Sequence, residues 1–402
     1  MDLSYGEAAE AFRKEVRGFI KQAWQPGELR GAELKDNIRA FRRAAIERGY
    51  LYRSVPKRYG GSEQPVDVIR AQVIREEFGR ARAPMEVGGN GVNMTVPTLL
   101  EKGTEEQREL FIRPTIEGDY VWGQGYSEPG SGSDLASVRT KGELSADGSK
   151  WIVNGQKIWT SQGMQATHMF MLVRTEPDAP KHDGITYLLM DLNQPGVTRR
   201  PIRQMTGEQG SHTFCEFFFD NAEAPVSWQV GERGQGWYVS RTTLKHERAS
   251  IGSADGLGSQ FRKLVELAQE MGRIGDPLVR DRLAEIEGRV LSHRYTSFRL
   301  FSCAAAGEDP GAVPLLMKLL LTEIGHDIAL LAQDLIGEEG MTEPVGAGGQ
   351  GPRGPRGPNK WLDQIMGSLG NSIAGGASNI QRNIIGERGL GLPRDLAMSA
   401  EK

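Results

Sequence analysis

Three short stretches carry residue types that could do chemistry. The stretch "GQGYSEPGSGSD", Gly123 to Asp134, is a glycine-rich loop whose freed backbone N–H groups suit an anion or the polar edge of a ring. It is not a phosphate loop, because no Gly-Lys-Ser/Thr triplet follows. The stretch "NGQKIWTSQG", Asn154 to Gly163, sets Trp159 and Ser161 two residues apart, so on a strand both point to one face. An aromatic plate beside a hydroxyl suits a flat heteroaromatic cofactor. Each motif alone also reads as ordinary structure, a tight loop in the first case and a tryptophan packed on a core in the second. The third stretch, "NSIAGGASNIQRN", Asn371 to Asn383, breaks a helical pattern at Gly375 and Gly376. It carries Ser378, Asn379 and Gln381 but no acid or base.

The elements that must position these stretches follow from hydrophobic periodicity. Residues 1 to 118 read as a helical domain, with Phe12, Val16 and Phe19 on one stripe and Ile69, Val73 and Phe78 on another. Thr104 with Gln107 forms a capping-box pattern that opens a further helix. Residues 119–232 read as an all-β domain, barrel-like or sandwich-like. Asp147-Gly148 and Asn154-Gly155 are turn dipeptides there, and Trp151 and Val153 alternate with polar neighbours between them. "HMFMLVRT", "GITYLLMDL" and "HTFCEFFFD" read as further strands.

Helical stripes return in residues 233–402. They run Leu257–Phe261–Leu264–Ala268–Met271, Val279–Leu283–Ile286–Val290, Leu316–Leu320–Ile324–Ile328–Leu331–Leu335 and Trp361–Ile365–Leu369–Ile373. Four such helices make an antiparallel bundle. A Gly/Pro/Arg-rich loop at 345–360 interrupts them, and its composition cannot build a core. The fold class is therefore multi-domain α+β: an N-terminal all-α domain, a middle β domain and a C-terminal four-helix bundle.

Composition narrows the function. A chain of 402 residues with 38% hydrophobic and 25% charged residues suits a globular protein with a large core. The formal net charge of −3 argues against a nucleic-acid partner. No run approaches the ~18 apolar residues of a membrane helix. The first residues lack the long apolar core of a signal peptide. Two cysteines, Cys215 and Cys303, and six scattered histidines show no metal-ligand spacing, so no protein-ligated metal is expected. A reducing cytoplasm is the expected compartment.

Taken together, "YSEPGSGSD", "NGQKIWTSQG", "GERGQGW" and "GGASNIQRNIIGERGLGLPRD" resemble, in order, motifs of the flavin-dependent acyl-CoA dehydrogenases. The helical–β–helical division is similar to that family's architecture across nearly the whole chain. "GYSEPGSGSD", "KIWTSQG" and "KHERASIG" also resemble the bacterial branch acting on steroid side-chain or branched acyl-CoA thioesters. The resemblance implies FAD as cofactor. It implies that Tyr126 and Ser127 line the flavin ring and bond its polar edge. Trp159 stacks near the ring, Ser161 offers its hydroxyl to flavin N5, Ser133 sits at the mouth of the acyl-CoA site, and Asn379 contacts the adenosine end of FAD.

Dehydrogenation of an acyl-CoA removes a weakly acidic proton beside the thioester carbonyl while a hydride leaves the β-carbon, so a positioned base and a polarised carbonyl are needed. Many members carry a glutamate base at the place of Gly375. A glycine cannot take a proton. Other members carry it near the start of the final domain, and Glu247 of "TTLKHERASIG" falls on that alternative position. An isolated Glu-Arg pair on a helix is ordinarily a solvated acid. The vacant usual position and the filled alternative one make Glu247 the expected base, with burial against the acyl chain and flavin raising its pKa towards working pH. The backbone N–H of Gly375 would still hold the thioester oxygen.

The resemblance departs at residues that family members lend to a neighbouring subunit's FAD. Arg273 is near but out of register with the expected arginine. Asp334 and Glu338 stand where an amide and a glycine are usual, and Ala377 replaces a small hydroxyl. Acids there would repel a pyrophosphate unless paired or solvated. The expected assembly is either a homo-oligomer or a heterotetramer with a related subunit that shares the FAD contacts. The partners implied are an acyl-CoA substrate and an electron acceptor such as an electron-transfer flavoprotein. A flavin oxidase or monooxygenase on this fold, and a non-catalytic subunit, are the competing readings.

Overall fold

The computed structural model describes residues 5–204, 214–251, 254–338 and 359–393. The Gly/Pro/Arg-rich loop lies outside the described residues except for its last two positions, which open a helix. The described chain forms an N-terminal helical domain, a middle mixed sheet and a C-terminal helical bundle. By contacts it divides into two compact units. One holds the chain up to Arg200 with Cys215–His246, and the other holds Pro201–Phe214 and the chain from Glu247 onward.

In the first unit, helix α1 (Glu7–Ala23) buries Ala9, Phe12, Val16 and Ile20. Helix α2 (Gly31–Glu47) buries Phe41 and Ala45, and α3 (Val68–Ala81) buries Val73, Ile74 and Phe78. Ile69, expected on the buried stripe, is instead exposed. A π-helical turn, Gly91–Thr95, leads into α4 (Val96–Lys102). The capping box opens α5 (Glu105–Glu117). Gln107 N–H donates to Thr104 Oγ1 at 3.2 Å, and Thr104 N–H donates to Gln107 Oε1 at 3.1 Å.

The sheet has eight strands: β1 (Trp122–Gly125), β2 (Lys141–Leu144), β3 (Lys150–Ser161), β4 (His168–Arg174), β5 (Ile185–Asp191), β6 (Val197–Pro201), β7 (Phe214–Pro225) and β8 (Gln229–Val230). Their order is β6-β7-β3-β2-β4-β5-β8, with β1 parallel to β4 through Trp122↔His168 to Gly125↔Met171. Strands β4 and β5 are buried on both faces, which explains their continuous apolar runs. Met169, Met171 and Val173 join one core with Trp151 and Phe217. Phe170 and Leu172 join the core built by the N-terminal helices.

The Asp147-Gly148 turn joins β2 to β3, but Asn154-Gly155 makes no turn, because β3 runs straight through it. Asn154 pairs with Lys141, and sheet pairing with β2 overrides the local turn preference. The glycine serves close approach instead: a Cβ at Gly155 would lie 2.7 Å from Thr140 Cα.

Helix α6 (Gly236–Ile251) begins in the first unit and carries the chain into the second. Helices α7 (Ala254–Glu270), α8 (Pro277–Ala306), α9 (Val313–Ile336) and α10 (Asn359–Asn371) follow. Leu257, Leu264 and Ala268 pack with Val279, Leu283, Ile286 and Val290, with Ile324, Ile328, Leu331 and Leu335, and with the fully buried Trp361. Met271, Leu316, Leu369 and Ile373, on the same stripes, are exposed. Each lies at or near an end of its stripe and outside the buried core of the bundle. Helix α11 (Ser378–Ile384) and a π-helical turn, Ile385–Gly389, complete the described chain.

Candidate active site

In the first unit, strand β3 clasps the segment that leaves β1. Thr160 Oγ1 donates to Gln124 O at 3.0 Å, Ile158 N–H to Ser127 O at 2.9 Å, and Lys157 Nζ to Tyr126 O at 3.3 Å. Tyr126 is buried edge-on against Phe170 and Tyr187, and Ser127 is half-buried. The glycine-rich loop then closes on itself, since Glu128 and Ser131 exchange two backbone bonds of 2.8 and 3.0 Å. Ser133 is exposed in that loop beside Asp134, whose carboxylate accepts from Lys181 at 2.6 Å.

Alternation along β3 breaks at Trp159. Trp151, Val153 and Lys157 are buried at even spacing, yet the next buried residue is Thr160. Trp159 has φ +64°, a left-handed backbone that is uncommon for a bulky side chain and a marker of functional strain. The turn it imposes leaves the indole 55% exposed, with Ser161 half-buried beyond it.

Helix α6 is tied to its unit just ahead of the candidate base. Thr243 Oγ1 lies 2.9 Å from Thr98 Oγ1 and donates to Tyr187 OH at 3.3 Å, and His246 Nε2 lies 2.6 Å from Glu101 Oε1. The next residue is Glu247, helical and half-buried.

In the second unit, α10 ends at a loop with positive φ at both Gly375 (+63°) and Gly376 (+101°). A Cβ at Gly376 would stand 2.3 Å from Gln381 Nε2, so the turn needs its glycine. The root of the loop is held by α9. Lys318 Nζ, nearly buried, donates to Asn371 O at 2.9 Å, and Thr322 Oγ1 lies 3.5 Å from the same oxygen. Asn379 is exposed, and its Oδ1 accepts from Arg382 at 3.2 Å. Ala377 stands at the N-cap of α11 with no side-chain cap.

The expected repulsion at Asp334 is answered within the chain, because Arg282 forms an ion pair with it. Arg273 is engaged locally with Asp276 at 2.8 Å, and Glu338 is exposed.

Two residues that the sequence reading left without a role hold the Tyr126–Ser127 segment: Lys157, fully buried, and its partner Glu128 at 2.8 Å. Lysine is ordinarily solvated, so residue type alone hides it. The buried phase of β3 was the available signal.

Comparison with known proteins follows the same division. The acyl-CoA dehydrogenase N-terminal domain matches residues 6–119, the middle domain residues 123–222 and the C-terminal domain residues 234–390. The chain is 36% identical over 397 residues to acyl-CoA dehydrogenase IpdE1 of Mycobacterium tuberculosis, covering 96% of this chain and 98% of that one. It superposes on the structure titled Tcur3481-Tcur3483 steroid ACAD with a TM-score of 0.76 at 27% identity, covering 98% of this chain and 100% of the other. It superposes on the ChsE4-ChsE5 complex from Mycobacterium tuberculosis with a TM-score of 0.75, also at 27% identity and with the same coverage. Matched along all three of its domains, this chain belongs to the acyl-CoA dehydrogenase family, flavoprotein oxidoreductases acting on CH–CH bonds.

Proposed function

We propose that the protein dehydrogenates an acyl-CoA thioester to its 2,3-enoyl-CoA with FAD, using Glu247 as the base for the α-proton. The observation that carries this reading is a paired one. The loop at Gly375 has no acid, while Glu247 sits half-buried on a helix anchored one residue earlier. The residues on the first unit fit a flavin ring. An exposed indole at Trp159, the Ser161 hydroxyl and the Tyr126–Ser127 backbone offer a plate and polar edge contacts. Bound flavin supplies the hydride acceptor. Glu247 takes the α-proton, and the Gly375 N–H holds the thioester oxygen as charge develops on it. Ser133 guards the acyl-CoA entrance, and Asn379 serves the adenosine end of FAD.

The substrate proposed is a bulky branched or ring-bearing acyl-CoA. The absence of a side chain at Gly375 leaves room for such a group, and a structural neighbour is titled a steroid ACAD. The acceptor for the flavin's electrons is an electron-transfer flavoprotein, and the compartment is the cytoplasm. A panel of straight, branched and steroid acyl-CoAs, mixed anaerobically with the flavin-loaded protein, tests the substrate class. Bleaching of the flavin by bulky thioesters and not by short straight ones is expected; the reverse order contradicts it.

A second reading concerns assembly. Asp334 and Glu338 stand where a subunit would lend contacts to a neighbour's FAD, and Asp334 is turned to Arg282. This supports a heterotetramer with a related subunit, the kind of pairing named in the ChsE4-ChsE5 complex.

A further inference from the structure

The pair Lys157–Glu128 has no role in proton or hydride transfer, yet it is the driest ion pair described. Lys157 is fully buried, and Glu128 is 9% exposed. A buried pair of this kind is weak evidence for stability, because apolar residues of similar volume often serve as well or better. What this pair does locally is specific. Lys157 Nζ donates to Glu128 Oε1 at 2.8 Å and to Tyr126 O at 3.3 Å. The Glu128 carboxylate also accepts from Arg139 N–H at 2.7 Å and Thr140 N–H at 2.9 Å, at the edge of β2. Burial lowers the Lys157 amino group to a pKa of about 8, with Glu128 pulling it upward.

Peptide geometry turns this anchoring into direction. The described chain has no cis peptide, and in a trans peptide the C=O and the following N–H point opposite ways. Lys157 draws the Tyr126 carbonyl inward, so the Ser127 N–H of the same peptide points away from it. The next peptide obeys the same rule: Ile158 N–H holds Ser127 O, and the Glu128 N–H turns the other way to reach Ser131 O.

We propose that the buried Lys157–Glu128 pair is a positioning device that fixes the Tyr126–Ser127 peptide and aims the Ser127 N–H at the polar edge of the flavin. This rests on the reading of Tyr126 and Ser127 as flavin-lining residues. A preorganised backbone donor at that edge is worth more as negative charge gathers there on reduction. Loss of the pair therefore weakens binding of the reduced cofactor more than that of the oxidised one.

The test uses flavin-loaded protein, purified with a related subunit if it needs one. Lys157→Met and Glu128→Gln remove the charge pairing. The double variant K157M/E128Q removes both charges together and keeps the shape and an acceptor oxygen for the Arg139 and Thr140 N–H groups, so that folding is preserved. FAD affinity is expected to fall about tenfold, and affinity for the reduced cofactor about tenfold further. That second tenfold equals a drop of about 30 mV in the two-electron midpoint potential. A shift of the flavin absorption bands should accompany it, with the melting temperature of the cofactor-free double variant near that of the parent.

Variants with unchanged FAD affinity, potential and spectrum would overturn the positioning role alone. Unsubstituted protein that takes up no FAD would instead overturn the reading of the site.

Discussion

A base that must remove a carbon-bound proton works best when it is held still before substrate arrives. In the proposed mechanism that base is Glu247, which follows His246, itself 2.6 Å from Glu101, on α6. Gly375 and Gly376 meet a different demand, a tight loop that keeps a backbone donor free of side-chain bulk. Gly376 has the narrower tolerance: alanine there would adopt φ +101° and collide with Gln381. Gly376→Ala should cost about 1–3 kcal/mol, read as a lower thermal midpoint, and should reduce turnover because the loop shifts. An unchanged midpoint would mean that the loop leaves its left-handed conformation at Gly376 without cost. The proposal of Glu247 as base rests on resemblance to a family, because a glutamate followed by arginine on a helix is ordinarily solvated. Lys157 was legible only through the buried phase of β3, which it shares with Trp151 and Val153, and not through its residue type.

Among the secondary elements, α3 carries a buried acid ringed by arginines. Glu77 is 3% exposed and is held by Arg13 at 3.2 Å, Arg17 at 3.0 Å and Arg80. Burial alone would raise its carboxyl pKa, but bonds from Arg17 and Arg13 outweigh it and hold the group below its ordinary 4.5. As pH falls, the unfolded chain therefore takes up this proton first. The stabilisation is complete above about pH 4.5 and is lost as pH falls through the lower folded value. Glu77→Gln should destabilise by roughly 2 kcal/mol at neutral pH, less than a dry pair because Arg17 and Arg80 are half-exposed. It should also flatten the acid limb of a stability–pH curve. A steep acid limb in the variant would place the effect in other carboxylates.

Helix α9 makes an analogous prediction for the loop it roots. Lys318→Met removes the bond to Asn371 O and should lower kcat several-fold while leaving FAD affinity unchanged. Weaker FAD binding with normal kcat would contradict that assignment. The helices themselves were readable from their stripes, but the stripes overran the core at Met271, Leu316, Leu369 and Ile373. Periodicity reports a face and not where its cover stops. Asn154-Gly155 shows the complementary failure, a strong local turn signal overruled by pairing with β2.

For the whole chain, the residues proposed to face its own flavin are present, while those at positions proposed to serve a neighbour's are altered. If a related subunit completes the cofactor site, co-purification should give flavin-replete protein with half a flavin per chain, and this chain alone should be flavin-poor. A fully loaded, active homo-oligomer would contradict the shared-site reading and leave the catalytic one intact. The three-part architecture itself was open to sequence reasoning, because each domain has its own texture: 3.6-residue stripes, short alternating or doubly buried strands, then stripes again. The joining of N-terminal helices and sheet into one core was not, because it depends on Phe170 and Leu172 facing opposite to Met169 and Met171.

The proposed division of labour gives removal of the α-proton to Glu247 and flavin binding to other residues. Anaerobic stopped-flow mixing of a branched or steroid acyl-CoA with flavin-loaded parent and Glu247→Gln tests it most directly. Both proteins should hold FAD equally, and the parent should bleach rapidly. The variant should bleach at least ~100-fold more slowly, the scale of a lost general base. Bleaching of Glu247→Gln at the parent rate would contradict it.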